Sequence, residues 1–420
     1  MSMKEIAEKI ALNGGRLYLV GGAVRDKVLG IEPHDEDYCV TGIELTDFID
    51  MFPNEKVRGA DFPVFIIQGN EVALARSEEK ISQGYRGFKI NTSKDITIEQ
   101  DLKRRDITIN AMAQDVLTEK IIDPYGGIED LRRRTIRHVS EAFKEDPLRC
   151  YRVARFAAKY NFDVDNETKI LMSILKEELA TIPEDRVFVE VRKALETDNP
   201  SVFFNVLKET DLLDVHFKEL KDLVGQSQPE EYHPEGDAFD HSMIVLDKVA
   251  KETSDPSIRF CALVHDLGKG ITPKEELPHH YGHDKAGVEI IDKMGKRLRF
   301  PTDWVNKAKV VSKYHMVAAR YKEMRPYKQA IMFNIIDHTS LGLKNLEIIV
   351  NADEMLGRGK VEFADMAKEV MTRISGKNLK KEGITPESVG GEQFGHILLE
   401  RQAKLIKEYE EKQKLENLEK

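Results

Sequence analysis

The feature that most constrains the fold is a change of pattern near Glu141. Before it, short runs rich in β-branched and aromatic residues alternate with turn glycines: Leu17–Val20, Tyr38–Val40, Phe62–Ile67, Val72–Ala75 and Lys120–Ile122. Such runs predict an α/β or α+β domain. From Glu141 onward apolar residues recur at helical spacing, as in "PLRCYRVARFAAKY". The rest of the chain is therefore predicted to be helical.

The length of the chain predicts several domains. With 420 residues it exceeds what one compact core normally holds, so two to four domains are expected. The segment "GQSQPEEYHPEGD", residues 225–237, is polar and contains two prolines and two glycines, which is typical of a linker. A second helical unit is predicted to follow, to about residue 360. The charged end of the chain is predicted to be a helix or a frayed terminus.

Composition indicates a soluble globular protein, since 41% of the residues are hydrophobic and 33% are charged. We find no apolar run long enough to span a bilayer and no signal-peptide pattern, so no membrane partner is expected. Three widely separated cysteines without zinc spacing predict reduced thiols and a cytoplasmic location. The net charge of -10 does not exclude nucleic acid, because a local basic face suffices to bind phosphate.

Two carboxylates follow the first strand-like runs. Asp35 and Asp37 are separated by one residue, and residues i and i+2 of an extended strand share a face. Side by side they repel each other unless a cation lies between them, and Mg²⁺ prefers one or two protein carboxylates together with substrate phosphates. Upstream, Gly22 allows close approach of phosphate and Arg25 offers a guanidinium fork. These parts predict a nucleotidyl-transfer site, whereas an acidic surface turn is the alternative for the pair alone.

Motifs further along the chain carry a family resemblance. "GGAVRD", the two aspartates, "RRDITINA" and "EDPLR" occur in an order that resembles the class II tRNA nucleotidyltransferases, the CCA-adding enzymes, with their poly(A) polymerase relatives. "CALVHDLGKGITPKEELPHHYGHDKAG" resembles the HD phosphohydrolase domain of the long bacterial form. The resemblance covers roughly residues 16–360. It implies an α+β fold: a polymerase β-like head with a small mixed sheet, an all-α neck and body, and an all-α HD domain.

The resemblance also implies domain limits and residue roles. The head is expected over residues 1–140, the nucleotide-selecting and RNA-binding neck and body over 141–227, the HD domain over 228–360 and a helical tail over 361–420. Catalytic Mg²⁺ ligands are expected at Asp35 and Asp37. Contacts to ATP or CTP are expected at Gly22, Arg25, Arg105, Asp146, Arg149, Arg152 and Arg155.

Asp146 and Arg149, in the motif "EDPLR", can form hydrogen bonds to the edge of a nucleotide base. An Asp acceptor and an Arg donor three residues apart on one helical face can match both cytosine and adenine. Guanine and uracil lack the exocyclic amine that Asp146 would bind, so the mismatch costs about 1–3 kcal/mol. Asp146 also precedes Pro147, which suits the first turn of a helix. A solvated arginine face is the alternative. Residues 80–94 resemble the flexible loop that this family uses to switch from C to A addition, or form an ordinary hairpin.

Histidines gather in the later helical segments. His265 and Asp266 form the pair that gives the HD domain its name, and with His241 and a later aspartate, Asp353, they are expected to hold a transition metal such as Ni²⁺ or Mn²⁺. His283 and His315 are candidates for a second metal or for the substrate phosphate. A bound metal acidifies water for attack on phosphorus. The resemblance to the HD domain of the related bacterial enzymes implies phosphatase and 2′,3′-cyclic phosphodiesterase activities, with His265 and Asp266 catalytic. A degenerate, structural HD fold is the alternative.

Three functions are weighed. The first is CCA addition to tRNA from CTP and ATP, for maturation and repair, joined to a phosphohydrolase. The second is a poly(A) polymerase of the same family, and the third is an RNA-binding protein with a spent active site. A guanosine-tetraphosphate synthetase-hydrolase is disfavoured because its HD part precedes its transferase part. The expected assembly is a monomer or a dimer.

Overall fold

The computed structural model describes residues 1–58, 63–80, 88–357 and 359–418. Within these ranges the chain divides into two compact units. The first comprises Met1–Ala194 and Val202–Val215, and the second comprises Leu195–Ser201 and His216–Lys420. The four predicted domain limits remain predictions.

Strands are confined to the first unit of the described chain. They are β1 Arg16–Val20, β2 Asp37–Thr41, β3 Lys56–Arg58, β4 Val64–Ile67, β5 Asn70–Leu74, β6 Ser77–Lys80, β7 Phe88–Asn91, β8 Ala113–Asp115, β9 Ile121–Ile122, β10 Thr135–Ile136 and β11 Asp163–Val164.

Helices occur in both units of the described ranges. They are α1 Met3–Leu12, α2 Gly22–Val28, α3 Leu45–Met51, α4 Ile98–Lys103, α5 Gly127–Arg133, α6 Arg149–Tyr160, α7 Asn166–Ile174, α8 Lys176–Leu179, α9 Glu184–Leu195, α10 Ser201–Glu209, α11 Leu213–Lys221, α12 Ala238–Glu252, α13 Pro256–Val264, α14 His283–Arg297, α15 Thr302–Ala319, α16 Pro326–Asp337, α17 Leu343–Asp353, α18 Ala364–Arg373, α19 Gly376–Lys381, α20 Pro386–Val389 and α21 Gly391–Leu418.

The main sheet is mixed. Across the described strands its order is β3-β4-β5-β2-β1-β8-β9. Strand β2 runs antiparallel to β1 and parallel to β5. Because helices follow this sheet as a separate block, the fold is α+β, as predicted.

Alternation of side chains gives the sheet its buried face. Tyr18 and Val20 of β1 lie two residues apart and pack with Cys39 of β2 and Ala113 of β8. The same cluster includes Leu102 of α4, so the core lies between the sheet and this helix. Residues 17 to 20 of β1 are all buried, so this strand is covered on both faces.

The structure places strands at the runs identified in the sequence. Four of these runs correspond to β1, β2, β5 and β9, and Val64–Ile67 forms β4, whereas residue 62 lies outside the described ranges. β6 and β7 pair antiparallel, Ser77 with Asn91 through Lys80 with Phe88. The predicted switch loop, residues 80–94, includes residues 81–87, which lie outside the described part of the chain.

Helix α6 marks the transition that the sequence predicted. A 3₁₀ turn at Glu141–Glu145 precedes it, and the helix buries Cys150, Tyr151, Val153 and Ala154. In the second unit, Phe260 of α13 packs against aromatic rings of the segment that leads into α15. No helix within the described ranges is both long and apolar enough to cross a bilayer.

Candidate active site and candidate metal centre

The predicted pair of aspartates lies where β2 begins. Asp37 is the first residue of β2, opposite Val20 of β1 and Glu71 of β5, and Asp35 lies in the turn just before it. The surrounding protein removes part of the water around Asp37 and raises its pKa, and the charges of Glu71 and Asp35 raise it further. Mutual repulsion of these carboxylates favours a cation between them. Glu71 was missed by the sequence analysis because its place depends on the parallel pairing of distant strands.

A glycine turn lies beside this acidic edge. Gly21 follows the last residue of β1 and has a φ of +70°, and a Cβ there would lie 2.7 Å from the Nη1 atom of Arg105. The positive φ favours glycine at this position, and the arginine lies close against its backbone. Gly22, the predicted phosphate contact, is the first residue of α2. The turn and the guanidinium group thus form one surface next to Asp37.

Arg105 lies near the carboxylates, and its predicted contact with the nucleotide remains a prediction. Its Nη1 donates to the carbonyl oxygen of Asn110 at 3.3 Å, and its Nη2 lies 3.4 Å from an oxygen of Asp101. Its Nε has no hydrogen-bond partner among the described residues. The charge of Arg105 lowers the pKa of Asp37, against the effect of burial and of the neighbouring acids. Arg105 thus brings a positive charge next to the carboxylate of Asp37.

A cavity of about 300 Å³ opens at this point. Its lining includes Asp37 and Glu71 on the acidic side and Arg104 and Arg105 on the basic side. Carboxylates can hold a divalent cation, and guanidinium groups bind phosphate. The arrangement suits a metal-bound anion such as a nucleoside triphosphate.

Arg25 lies away from the lining of this cavity in the described structure. It is 5% exposed, its Nε donates to Asp26 at 2.9 Å, and its Nη1 donates to the side chain of Asn110. Its guanidinium carbon lies 5.0 Å from the ring centroid of Tyr160 on α6. Arg25 therefore ties the glycine turn to α6, and its role in nucleotide binding remains a prediction.

The two residues expected to read the base are bonded within the protein. Asp146 accepts from the backbone N–H of Leu148 at 3.1 Å and pairs with Arg186 at 2.9 Å. Arg149 donates to the carbonyl oxygens of Ala142 and Arg104, at 2.6 and 2.7 Å. Asp146 therefore bonds just ahead of α6, which begins at Arg149 with Leu148 as its N-cap, so Pro147 lies before the first turn of the helix. Base reading by the pair remains a prediction.

Arg152 and Arg155 have acidic partners that the sequence analysis missed. Asp106 accepts from Nε and Nη2 of Arg152, each at 2.7 Å, and Glu190 of α9 pairs with Arg155. Burial raises the pKa of Asp106, but the charge and hydrogen bonds of Arg152 outweigh it and lower the pKa overall. Both arginines therefore hold α6 in place, and their predicted nucleotide contacts remain predictions. The signal for Asp106 is its position inside the "RRDITINA" motif.

In the second unit, four predicted metal ligands converge. The Nε2 atom of His241 on α12 lies 2.9 Å from Asp353 at the end of α17, and that of His265 lies 3.7 Å from the same oxygen. His265 also lies 3.2 Å from Asp266. Ligand atoms of His241, His265 and Asp353 are mutually close enough to share one ion. Segments more than a hundred residues apart thus meet in one cluster, and metal binding by these residues remains a prediction.

Asp266 also belongs to a second group. Its Oδ1 atom lies 3.4 Å from Nε2 of His283 on α14 and 3.5 Å from Nε2 of His315 on α15. Its Oδ2 atom faces His265. The two oxygens of Asp266 therefore point to two sets of imidazoles. A bridging carboxylate between two such sets suits two metal ions.

Hydrogen bonds behind the rings orient the histidines. Nδ1 of His265 lies 2.7 Å from the carbonyl oxygen of Ala262, and Nδ1 of His283 lies 2.6 Å from that of His280. Because a carbonyl only accepts, each Nδ1 carries a proton and Nε2 faces the cluster. The buried Nε2 atoms of His265 and His283 and Oδ1 of Asp266 have no hydrogen-bond partner among the described residues. Buried atoms that can accept but have no donor nearby are suited to bind a cation. The cluster therefore fits a metal ion.

The electrostatics of the cluster agree with this conclusion. Burial lowers the pKa of His265, but the charges of Asp266 and Asp353 outweigh it and raise the pKa to about 10. The same attraction holds the pKa of Asp353 well below its usual range, in spite of burial. The pocket strongly favours a positive charge, which a metal supplies.

The prediction that residues 225–237 form a linker is wrong, because this segment folds against the histidine cluster. Glu235 accepts from Nδ1 of His241 at 2.6 Å and lies 3.0 Å from Nδ1 of His233. The hydrogen bond fixes His241 with Nε2 toward Asp353. Asp237 caps α12 by accepting from backbone N–H groups. Polar, turn-forming composition does not distinguish a flexible linker from a folded loop.

A buried lysine lies between this segment and the cluster. Lys269 is 6% exposed, and its Nζ atom lies 2.6 Å from Oδ2 of Asp266 and 2.6 Å from the side-chain oxygen of Gln228. The ammonium group offsets part of the negative charge of the cluster. Glu235, Lys269 and Gln228 were missed by the sequence analysis, although His233 and Glu235 flank Pro234 in a motif rich in ligand-type residues.

Three family models match successive parts of this chain. Residues 17–137 match the poly A polymerase head domain, residues 161–223 match the model described as the probable RNA and SrmB-binding site of polymerase A, and residues 238–342 match the HD domain. The head and HD domains predicted from the sequence motifs are therefore confirmed.

Solved structures share the fold over nearly the whole chain. A complex structure of CCA-adding enzyme with ATP has 20% identity, a TM-score of 0.62 and coverage of 95% of this chain and 88% of that chain. A complex with CTP has 21% identity, a TM-score of 0.62 and coverage of 95% and 88%. The Thermotoga maritima CCA-adding enzyme complexed with tRNA has 20% identity, a TM-score of 0.62 and coverage of 96% and 90%.

Proposed function

We propose that this chain, which has the fold of CCA-adding enzymes and carries an HD domain after its head, adds C, C and A to the 3′ end of tRNA. CTP and ATP are the substrates, and no nucleic-acid template is used. The observation that carries the proposal is the cavity beside Asp37, where carboxylates face Arg104 and Arg105. The similar enzymes whose structures include ATP, CTP or tRNA support the choice of substrates.

Asp35 and Asp37 are the proposed holders of Mg²⁺. A bound Mg²⁺ neutralises phosphate charge and orients the reacting groups. Arg105, whose positive charge lies close enough to Asp37 to lower its pKa, is the proposed partner of the triphosphate. Gly22, the first residue of α2, is the proposed backbone contact to the phosphate. In this proposal the chain's own residues bind and align the nucleotide, and alignment accounts for much of phosphoryl-transfer catalysis.

Asp146 and Arg149 are the proposed selectors of the base. In the described structure Arg149 donates to two carbonyl oxygens, so base reading requires at least one of these hydrogen bonds to be exchanged. The pair with Arg186 must likewise share Asp146 with the exocyclic amine of cytosine or adenine. Selection by these groups therefore predicts a local rearrangement near the start of α6 when a nucleotide binds.

The test is incubation of the full chain with tRNA that lacks its 3′ CCA, with Mg²⁺ and each nucleoside triphosphate, followed by sequencing of the product. Addition of C, C and A is expected. A run of A alone would instead identify a poly(A) polymerase, and tRNA binding without any addition would identify an RNA-binding protein with a spent site. Asp50→Ala, at an exposed position of α3, is the matched control for Asp37→Ala.

A second function is proposed for the histidine cluster: metal-dependent hydrolysis of phosphate esters, including 2′,3′-cyclic phosphates. The observation in favour is Asp266, whose two oxygens face separate sets of imidazoles. Two ions of the Ni²⁺ or Mn²⁺ class fit these nitrogen and oxygen ligands. Hydrolysis adds one water across a P–O bond of the ring and leaves a phosphomonoester and a free hydroxyl group.

His265→Ala and Asp266→Ala are expected to abolish this hydrolysis while CCA addition to intact tRNA continues. Chelation is expected to have the same selective effect on hydrolysis once Mg²⁺ is restored for addition. The matched control is His396→Ala, at a half-exposed position of α21. Hydrolysis that persists in His265→Ala would indicate a structural cluster.

We propose that the two activities serve tRNA repair in the cytoplasm. The HD domain would open a cyclic phosphate with one water and release the resulting or a terminal phosphomonoester as inorganic phosphate with a second, and the head would then extend the freed 3′-hydroxyl group. The substrate that tests this sequence is tRNA ending in a 2′,3′-cyclic phosphate. If the double variant His265→Ala/Asp266→Ala extends it as well as the parent does, the repair role is wrong.

A further inference from the structure

An exposed aromatic pair lies next to the histidine cluster in the chain. The side chain of Tyr281 is 80% exposed, and its ring stacks on that of His279 with 5.7 Å between centroids and 27° between planes. Neither ring is used by the proposed metal site. A tyrosine with so much of its ring in water leaves one face available for a ligand.

The loop that carries these rings is anchored from inside. His280, between them, turns inward: its Nδ1 lies 2.8 Å from the hydroxyl group of Thr272, and its Nε2 lies 3.0 Å from the carbonyl oxygen of Ser227. The rings of His279 and Tyr281 therefore lie on the outer side of a fixed backbone. Their stacking also restricts the tyrosine ring, so less entropy is lost when a second ring stacks on it.

The anchored loop joins directly to the cluster. Gly282 has a φ of +74°, and α14 begins with the next residue, His283, whose Nε2 lies 3.4 Å from Asp266. A Cβ on Gly268 would lie 1.9 Å from the carbonyl oxygen of His283, so this end of the loop is packed tightly against the HD motif. Two residues of extended chain span at most about 7 Å, which bounds the separation of the Tyr281 and His283 backbones.

We propose that Tyr281, backed by His279, stacks on the base of a nucleotide whose phosphate is held at the Asp266 cluster. The substrates of the HD domain are then nucleotides or RNA 3′ ends that carry a base, and base-free phosphate esters are poor substrates. The inference rests on the proposed hydrolase function. Stacking on an aromatic ring tolerates any base, since each base has a π-face. Tyr281 is thus a specificity-determining residue and takes no part in the hydrolysis step.

The test compares two substrates of the full chain in the presence of Mn²⁺ or Ni²⁺. One is adenosine 2′,3′-cyclic phosphate, and the other is methyl ribofuranoside 2′,3′-cyclic phosphate, which has the same ring phosphate and no base. Stacking worth about 1–3 kcal/mol per base corresponds to a rise in KM of about 5- to 150-fold for the nucleotide in Tyr281→Ala. The kcat for the nucleotide, and both constants for the base-free ester, are expected to stay within about twofold.

Tyr281→Phe is the matched control, because it keeps the ring and removes only the hydroxyl group; its KM for the nucleotide is expected to equal that of the parent. His279→Ala is expected to raise this KM less than Tyr281→Ala does. The proposal is overturned if Tyr281→Ala leaves the KM for the nucleotide unchanged, or if it raises KM equally for both esters. A parent enzyme that hydrolyses neither ester with either metal overturns the hydrolase function itself, which is a distinct result.

Discussion

Arg152→Met is expected to destabilise the first unit more than Asp106→Asn, although the two residues form one ion pair. The difference follows from burial. Asp106 is 7% exposed, and its carboxylate accepts from Arg152 at 2.7 Å and from the backbone N–H of Ile107 at 2.9 Å. Arg152 is 35% exposed and can turn toward water. Removing the arginine leaves a buried charge, whereas removing the acid leaves a guanidinium group that water can reach.

The magnitudes follow from these environments. A buried carboxylate without its partner costs about 3–5 kcal/mol, which is the expected loss in Arg152→Met. Methionine keeps the aliphatic stem near the ring of Phe156, so lost packing adds little. Asp106→Asn keeps neutral hydrogen bonds and is expected to lose about 1–2 kcal/mol. When residue 106 is already Asn, Arg152→Met leaves no buried carboxylate without a partner. The free energy lost in the double variant is therefore expected to be smaller than the sum of the two single losses by about 2 kcal/mol or more.

The pH dependence gives a second check. In the parent, the pKa of Asp106 is lowered, so its contribution is present above the unfolded pKa of about 3.9 and is lost as the pH falls through the lower folded value. In Arg152→Met the charge and hydrogen bonds of the arginine are gone. Burial of the Asp106 carboxylate is then expected to raise its pKa. The variant's loss is therefore largest near neutral pH and shrinks as the pH falls through this raised value.

The assay is urea unfolding followed by far-UV circular dichroism, with hydrogen exchange of α6 peptides as the local readout. The parent, both single variants and the double variant are compared at about pH 7.5 and about pH 5. Equal losses in the two single variants, or a loss in Arg152→Met that does not fall with pH, would refute the reasoning.

Three further outcomes are expected. Asp37→Ala is expected to lower nucleotide addition by more than about a hundredfold while gel-shift binding of tRNA persists; near-normal addition would remove it from the site. Arg149→Ala and Asp146→Ala are expected to relax base choice by about 1–3 kcal/mol, measured as incorporation of all four nucleotides; clean selection of C and A would contradict their role. Glu235→Gln is expected to weaken Mn²⁺ binding, followed by calorimetry, about 10- to 100-fold; exposed Glu231→Gln is the control, and equal affinities in both would dismiss the orienting hydrogen bond.

Some residues of the candidate sites could be predicted from the sequence, and others could not. Asp35 and Asp37 are two residues apart in the sequence, so their proximity was predictable, although only Asp37 lies on β2 and Asp35 lies in the bend before it. The proximity of Glu71 was not predictable, because it requires β5 to run parallel beside β2. Arg25 was expected to contact the nucleotide, which remains a prediction, and its hydrogen bonds to Asp26 and Asn110 were not foreseen. Local sequence patterns do not predict which of several acceptors an arginine side chain will bind.

The sequence by itself determined the α+β class, the position of the change to helices near Glu141 and the order of the head and HD domains. Short periodicities and contiguous motifs encode these features, since each depends on residues within a few positions of one another. Only the tertiary structure decided that residues 225–237 are part of the HD site, with Glu235 behind His241. It also decided that Asp266 faces two sets of histidines. These contacts join segments far apart in the chain, and their partners are chosen by packing of whole helices, which no local pattern specifies.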